Sequence, residues 1–168
     1  YDVTTNATPE QIIALFPRTF YENTYGTVGV VTAAETETDV NVIKKSIVEV
    51  TPFRTEGEYK DSRHPENVSW AKDIKTDLSR RDFTCNAMAY SFTKNELVDP
   101  FVGLKDIKDR VLRAVGEADV RFNEDALRLM RALRFSGQLD FKIEENTEKS
   151  LINNAGLIQN ISHERVRD

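Results

Sequence analysis

The character of this 168-residue chain changes around Gly116 to Asn123, from mixed strand and helix patterns to helix alone, and that change sets the fold class. Before it, short apolar runs alternate with polar residues at the period of a strand, separated by turn residues. YGTVGVVT reads as one strand. SIVEVTPF reads as another, with Val48 and Val50 on one face and Ile47, Glu49 and Thr51 on the other. After residue 116 everything reads as helix. The expectation is an α/β part over residues 1–115 followed by an all-helical part over 116–168.

Within that frame the opening YDVTTNATPEQIIALFP predicts a strand end, a turn and a helix from Pro9 to about Phe16. Thr8 suits its N-cap, Pro9 its first position and Glu10 its positive end. AETETDVNVIKK reads as a polar connection, a hairpin tip or small insertion, and RTEGEYKDSRHPENVSWAKD as a long loop. From Asp77 to about Phe92 the pattern is helical, and ELVDPF is a short strand into a turn. NEDALRLMRALRFSG is the clearest helix, with Asn123 as its cap, Glu124 and Asp125 in its first turn and Gly137 at its end. EENTEKSLINNAGLI predicts a second helix, and SHERVRD begins a third.

No apolar run is long enough to span a bilayer. A net charge of -5 argues against a generally basic nucleic-acid binder but leaves room for a local basic patch. The single cysteine, Cys85, excludes an internal disulfide and fits a reducing compartment; the expected location is cytoplasmic, with an organelle as the alternative because the piece lacks an N-terminus. His64 and His163 lack partner cysteines, and a zinc centre is not expected. The chain starts in mid-pattern at Tyr1 and stops in HERVRD, which reads as an internal piece of a longer protein.

Three groups of residues can carry chemistry. On a helical wheel Phe122, Ala126, Leu129, Met130 and Leu133 gather on one side, and Glu124, Asp125, Arg128 and Arg131 on the other. That polar side is either a solvated face laced by ion pairs or an acceptor and donor edge able to read a base. In SRRDFTCNAMAY, Asp82 and Asn86 would share one helical face beside Arg80 and Arg81. Either Asp82 is an N-cap among surface charges, or the arginines meet phosphates while Asp82 or Asn86 holds a ribose hydroxyl. Asp2 and Glu49 lie in strands, where a lone acid usually faces solvent. If both faced one cleft they would be hard oxygen ligands suited to magnesium.

Taken in order, DVTTNATPEQ, YGTVGV, EVTPFRTEGEYKDSRHP, DLSRRDFTCNAMAY, DPFVGLKDIKDRVLRAVG, RFNEDALRLMRALRF and ISHERVRD resemble the class II tRNA nucleotidyltransferase family. That family includes CCA-adding enzymes and bacterial poly(A) polymerases. The stretches cover nearly the whole chain, with AETETDVNVIKK standing apart as an insertion. The resemblance implies an α/β, polymerase-beta-like nucleotidyltransferase head over 1–115, truncated at its N-terminus, and the start of an all-helical neck over 116–168.

The resemblance also implies roles. Asp2 matches the second of two strand carboxylates that hold Mg2+, the first preceding Tyr1, with a glycine-rich turn further upstream. Glu49 matches an acidic position that assists. Arg81, Asp82 and Asn86 match an RRDxxxN element for triphosphate and ribose. Glu124, Asp125 and Arg128 match an EDxxR element in which Asp125 and Arg128 pair with the Watson–Crick edge of CTP or ATP. Each of those bases offers an amino donor beside a ring-nitrogen acceptor. GTP and UTP present the opposite pattern and would leave buried polar groups unpaired. Arg131 and Arg134 follow at three-residue spacing toward the triphosphate, and Glu164 and Arg165 match the start of a bracing neck motif. Thr55 to Asp73 matches a flexible segment linked to switching from C to A addition. The implied activity is template-independent, metal-dependent addition of CCA to the tRNA 3′ end, which the piece alone would not perform. Poly(A), CC- or A-adding activity is the alternative within the family, and a non-catalytic nucleotide- or RNA-binding module the alternative outside it.

Overall fold

In the computed structural model, which describes residues 2–21, 26–56 and 68–161, alternating apolar residues build a four-stranded mixed sheet. Its strands β1 (Asp2–Thr5), β2 (Thr19–Tyr21), β3 (Val28–Val31) and β4 (Ile47–Pro52) lie in the order β1-β4-β3-β2. β1 runs parallel to β4, and β3 runs antiparallel to both β4 and β2. The helix α1 (Pro9–Leu15) begins with a reciprocal cap: the Gln11 N–H donates to Thr8 Oγ1, and the Thr8 N–H donates to Gln11 Oε1 at 2.9 Å. That start aims Ile12 into a core with Val28, Val30 and Val50. Burying each such side chain contributes about 1.5–3 kcal/mol. Gly29 faces Phe20 across the β2–β3 pair, and a Cβ there would lie 2.3 Å from the Phe20 ring, so only glycine lets the ring lie over β3.

Two expectations for this part are corrected. AETETDVNVIKK holds a helix, α2 (Val40–Lys45), whose first turn is capped by Asp39 Oδ1 accepting the Asn41 N–H, with Lys44 and Lys45 in its last turn. The long loop has ordered arms, β5 (Arg54–Glu56) and β6 (Val68–Trp70), which pair as a two-stranded sheet. Asp77, fully buried, accepts the Arg54 N–H at the root of β5.

The chain divides by packing into two units, one from residues 2–55 with 68–77, the other from residue 78 onward. The helical pattern expected to run from Asp77 to Phe92 stops early. The helix α3 (Ile74–Ser79) ends before the arginines, and a bend carries Arg81 and Asp82 to a single bridge between Phe83 and Ala114. A 3-10 turn at Thr84–Asn86 and the hairpin of β7 (Ala89–Ser91) and β8 (Glu96–Val98) follow.

In the second unit α4 (Gly103–Asp109) leads to β9 (Val111–Leu112), which pairs in parallel with β10 (Lys142–Ile143), so the part after residue 116 is not wholly helical. Its helices are α5 (Ala118–Glu124), α6 (Leu127–Leu139) and α7 (Glu145–Asn153), with a 3-10 turn at Ala155–Asn160. The single helix expected from Asn123 is broken in two. Asn123 lies inside α5, and Asp125 sits at the break with Oδ1 accepting the Leu127 N–H at 3.0 Å. α6 then runs through Gly137 and ends at Leu139, where Asp140 takes a left-handed φ of 55°. The core here is Phe83, Leu112 and Ala132, with the Phe83 and Phe135 rings edge to face at 5.9 Å. Because Ala132 enters that core, α6 is turned from the expected wheel: Leu133 is 50% exposed, while Arg128 is buried. The stretch SHERVRD, with Glu164, Arg165 and His163, lies outside the described residues, as does His64.

Candidate functional site

The parallel register of β1 on β4 sets Asp2 directly opposite Glu49, and the antiparallel register of β3 sets Gly29 on Glu49's other side. Side chains opposite one another in a ladder share a face. One face of the first unit therefore carries the row Phe20, Gly29, Glu49, Asp2, with both carboxylates exposed. Two hard oxygen donors side by side on adjacent strands fit a small divalent cation. Among the described residues no set of three or more acidic, histidine or cysteine groups clusters as a metal cage.

The second unit brings together two motifs that are far apart in sequence. Asp82, 8% exposed, accepts the Phe83 N–H on Oδ1 at 2.9 Å and Arg131 Nε on Oδ2 at 2.6 Å. Its carbonyl accepts the Val115 N–H. The Arg131 guanidinium also lies 4.9 Å over the Phe135 ring, and exposed Arg134 lies 5.8 Å from that ring. Beside this pair, Arg128 Nη1 donates to Glu124 Oε2 at 2.6 Å and to the Arg121 carbonyl at 3.0 Å, while its Nη2 donates to the Arg80 carbonyl at 3.1 Å.

The expected residues are thus partly assembled and partly re-placed. Asp82 pairs with Arg131 and Glu124 with Arg128, and the Arg128 bond to the Arg80 carbonyl brings the second pair to the segment that carries the first, with half-buried Asp125 at the helix break. Arg128 is not on a solvated face, because the residue 80 backbone covers it. Asp82 and Asn86 do not share a helix: Asp82 is in the bend and Asn86 is exposed in the 3-10 turn. Arg80 and Arg81 follow the C-terminal end of α3 rather than standing at a helix start, so no helix dipole helps them hold an anion. The cationic character comes from the arginines themselves. Residues 79–82 and 121–134 hold six arginines against three carboxylates, a local basic excess in a chain of net charge -5. Burial pushes the Cys85 thiol above its ordinary value, and the Asp82 and Asp106 carboxylates push it the same way, which favours the neutral thiol.

One residue was missed. Arg121, three before Glu124 and seven before Arg128, donates Nη2 to Glu124 Oε1 at 2.6 Å and Nη1 to the Ser79 carbonyl at 3.1 Å. Its i,i+3 spacing to an acid was the only local signal.

Comparison with known proteins identifies the family. Residues 1–113 match the model of the Poly A polymerase head domain, and residues 140–168 match the "Probable RNA and SrmB- binding site of polymerase A". The chain is 44% identical over 166 residues to the CCA-adding enzyme of Geobacillus thermodenitrificans, covering 98% of itself and 38% of that relative. Among solved structures it is similar to the Bacillus stearothermophilus CCA-adding enzyme in complex with CTP: TM-score 0.79, 39% identity, 97% of this chain and 36% of that one. It is also similar to a tRNA nucleotidyltransferase complexed with a primer tRNA and an incoming ATP analog: TM-score 0.70, 31% identity, 97% of this chain and 44% of that one. With two carboxylates paired on its sheet, its RRD and EDxxR motifs knotted together, and a head-domain match over residues 1–113, the chain belongs to the poly A polymerase head family of class II CCA-adding enzymes and poly(A) polymerases.

Proposed function

We propose that the protein carrying this chain adds C, C and A to the 3′ end of tRNA, taking nucleotidyl groups from CTP and ATP and releasing pyrophosphate. The observation that supports this reading is the contact of residues 79–82 with the Glu124–Arg131 segment, Arg128 on the Arg80 carbonyl and Arg131 on Asp82. In this reading residues 1–115 act as the head and 116–168 begin the neck, a division by role that differs from the division by packing at residue 77.

Asp2 and Glu49 are the residues that would hold Mg2+. When bound, the metal supplies a lowered pKa for the attacking hydroxyl and charge stabilisation on the attacking and leaving oxygens. Arg81 and Asn86, with Arg134 reaching in from α6, hold triphosphate and ribose, while Arg131 fixes the Asp82 carboxylate so that it points without reorganising. Asp125 and Arg128 present acceptor and donor to the base, and rejection of GTP and UTP follows from the buried polar groups they would leave unpaired. Thr55 to Asp73 is assigned the change from C to A addition, and Glu164 and Arg165 the bracing of the neck. The compartment this activity assigns is the cytoplasm; among the described residues no helix is long and apolar enough to cross a membrane.

The test supplies the protein with magnesium, all four NTPs and a tRNA transcript ending at the discriminator base, then sequences the added 3′ ends beside an Asp2→Ala control. Tails of C, C and A that vanish in the control are expected. Long A tails, or a CC or single A product, reassign it within the family, and no addition by folded protein favours a binding module.

A further inference from the structure

We propose that Arg121 is a positioning residue for nucleotide selection, holding Glu124, and through it Arg128, against the backbone of residues 79 and 80. The inference rests on the reading that Asp125 and Arg128 select the base.

The geometry is a closed ring of contacts. Glu124 has one oxygen on each of two arginines, Oε1 on Arg121 and Oε2 on Arg128, both at 2.6 Å. A carboxylate held at both oxygens cannot rotate without breaking a charge-assisted bond. The far ends of the two guanidiniums land on consecutive carbonyls, Arg121 on Ser79 and Arg128 on Arg80. The Arg121 carbonyl closes the ring by accepting Arg128 Nη1 at 3.0 Å.

The ring spans the place where the regular helical ladder is interrupted and shorter backbone bonds, from the Arg128 N–H to the Asp125 carbonyl at 3.0 Å and from the Leu129 N–H to the Ala126 carbonyl at 3.1 Å, take over. α5 ends at Glu124 and α6 starts at Leu127, so no continuous ladder of helical hydrogen bonds fixes the angle between the turn carrying Arg121 and the turn carrying Arg128. Asp125 occupies the break itself, with its N–H 3.4 Å from the Arg121 carbonyl. Across this joint the side-chain ring adds to the few backbone bonds that orient Asp125 and Arg128, and Arg121 supplies its outer clamp.

The contacts are not surface decoration. The side chains of Arg121, Glu124 and Arg128 are 16%, 21% and 10% exposed, so water and salt compete weakly for them. The two bonds leave separate nitrogens of the guanidinium, Nη1 to the Ser79 carbonyl and Nη2 to Glu124, whereas a lysine keeps the charge but has one nitrogen on a shorter stem to serve both.

The test measures incorporation of C against U, as the ratio of kcat/KM for CTP over UTP, in the tRNA-extension assay for wild type, Arg121→Ala, Arg121→Lys, Glu124→Gln and Arg121→Lys/Glu124→Gln. The expected result is a fall in the ratio of about tenfold to a hundredfold in Arg121→Lys, the scale that small misplacements cost. The melting transition should stay near that of wild type. The double variant should be no worse than Glu124→Gln alone, since both changes break one chain of contacts. An unchanged ratio, or losses that multiply in the double variant, overturns the inference. Failure of both Arg121→Ala and Arg121→Lys to fold also overturns it, making Arg121 a strut. Wild type adding C and A in the same assay keeps the functional reading standing apart from this one; wild type adding nothing overturns both.

Discussion

Replacing Gly103 by alanine measures how closely α4 sits on the turn at Thr84–Asn86. A Cβ there would lie 2.1 Å from the Thr84 carbonyl oxygen, 2.8 Å from its carbon and 3.1 Å from Met88 Cγ. Ordinary contact begins near 3.4 Å, so helix or turn must retreat by the difference, 1.3 Å. Neither is free to do so. Thr84 donates its N–H to the Arg113 carbonyl and its hydroxyl to Asp106, a residue of α4 that also takes Arg113 Nε at 3.1 Å. The Gly103 N–H is itself bonded to Asp99 Oδ1 at 2.7 Å. Overpacking costs about 1–3 kcal/mol and a strained bond to a charged group about 1.5–3 kcal/mol. Alanine's better helix propensity returns about 1 kcal/mol. The net expectation is a loss of about 1.5–5 kcal/mol. Gly137 supplies the opposite sign from the same substitution: it lies inside α6 with nothing within 4 Å of a built Cβ, so Gly137→Ala should gain up to about 1 kcal/mol. Urea unfolding followed by circular dichroism reads both. A Gly103→Ala protein as stable as wild type, or a weakened Gly137→Ala, would refute the packing described.

Glu144 caps α7, accepting the Thr147 N–H and hydroxyl, with Arg113 3.3 Å away. Burial alone would raise its pKa, but the bonds from Thr147 and Asn146 and the Arg113 charge outweigh it and hold the group below its ordinary 4.5. A pKa depressed by folding gives stability that is present at neutral pH and lost as pH falls through the folded value, below the ordinary range. The stability gap between wild type and Glu144→Gln should therefore be widest near neutrality and shrink in acid; a gap flat with pH would count against the cap. Cys85 is half-buried with a raised pKa, so iodoacetamide should modify the native protein more slowly at mildly alkaline pH than the urea-unfolded chain, and equal rates would contradict the site's geometry.

What could be read in the sequence was whatever is decided within a turn or two. TPEQ specifies its own cap, and α1 begins where those residues place it. α2 went unread because its valines are exposed, Val40 at 60% and Val42 at 44%, so it has no apolar stripe and only Asp39 and two lysines to announce it. The small residues after Arg81 look helical, yet Phe83 is captured by Ala114 before a helix can form. Asn123 looks like a cap, but its amide is taken by the Asp119 carbonyl and Asn154, which keeps it inside α5. The burial of Arg128 depends on a carbonyl 48 residues away, and the alignment of Asp2 with Glu49 on a parallel register. No local pattern encodes either. Arg121 was hidden for the same reason: half of its meaning lies in Ser79.

The bond between Asp82 and Arg131 joins residues 49 apart, and this has a consequence for biosynthesis. At about 5–20 residues per second, a ribosome that has made Asp82 needs about 2–10 s more before it adds Arg131. For that interval the aspartate has no counter-cation from α6, and the bend around it is held by its backbone contacts with residues 113–115. The Asp82–Arg131 pair therefore waits for the arrival of α6 rather than forming with the sheet.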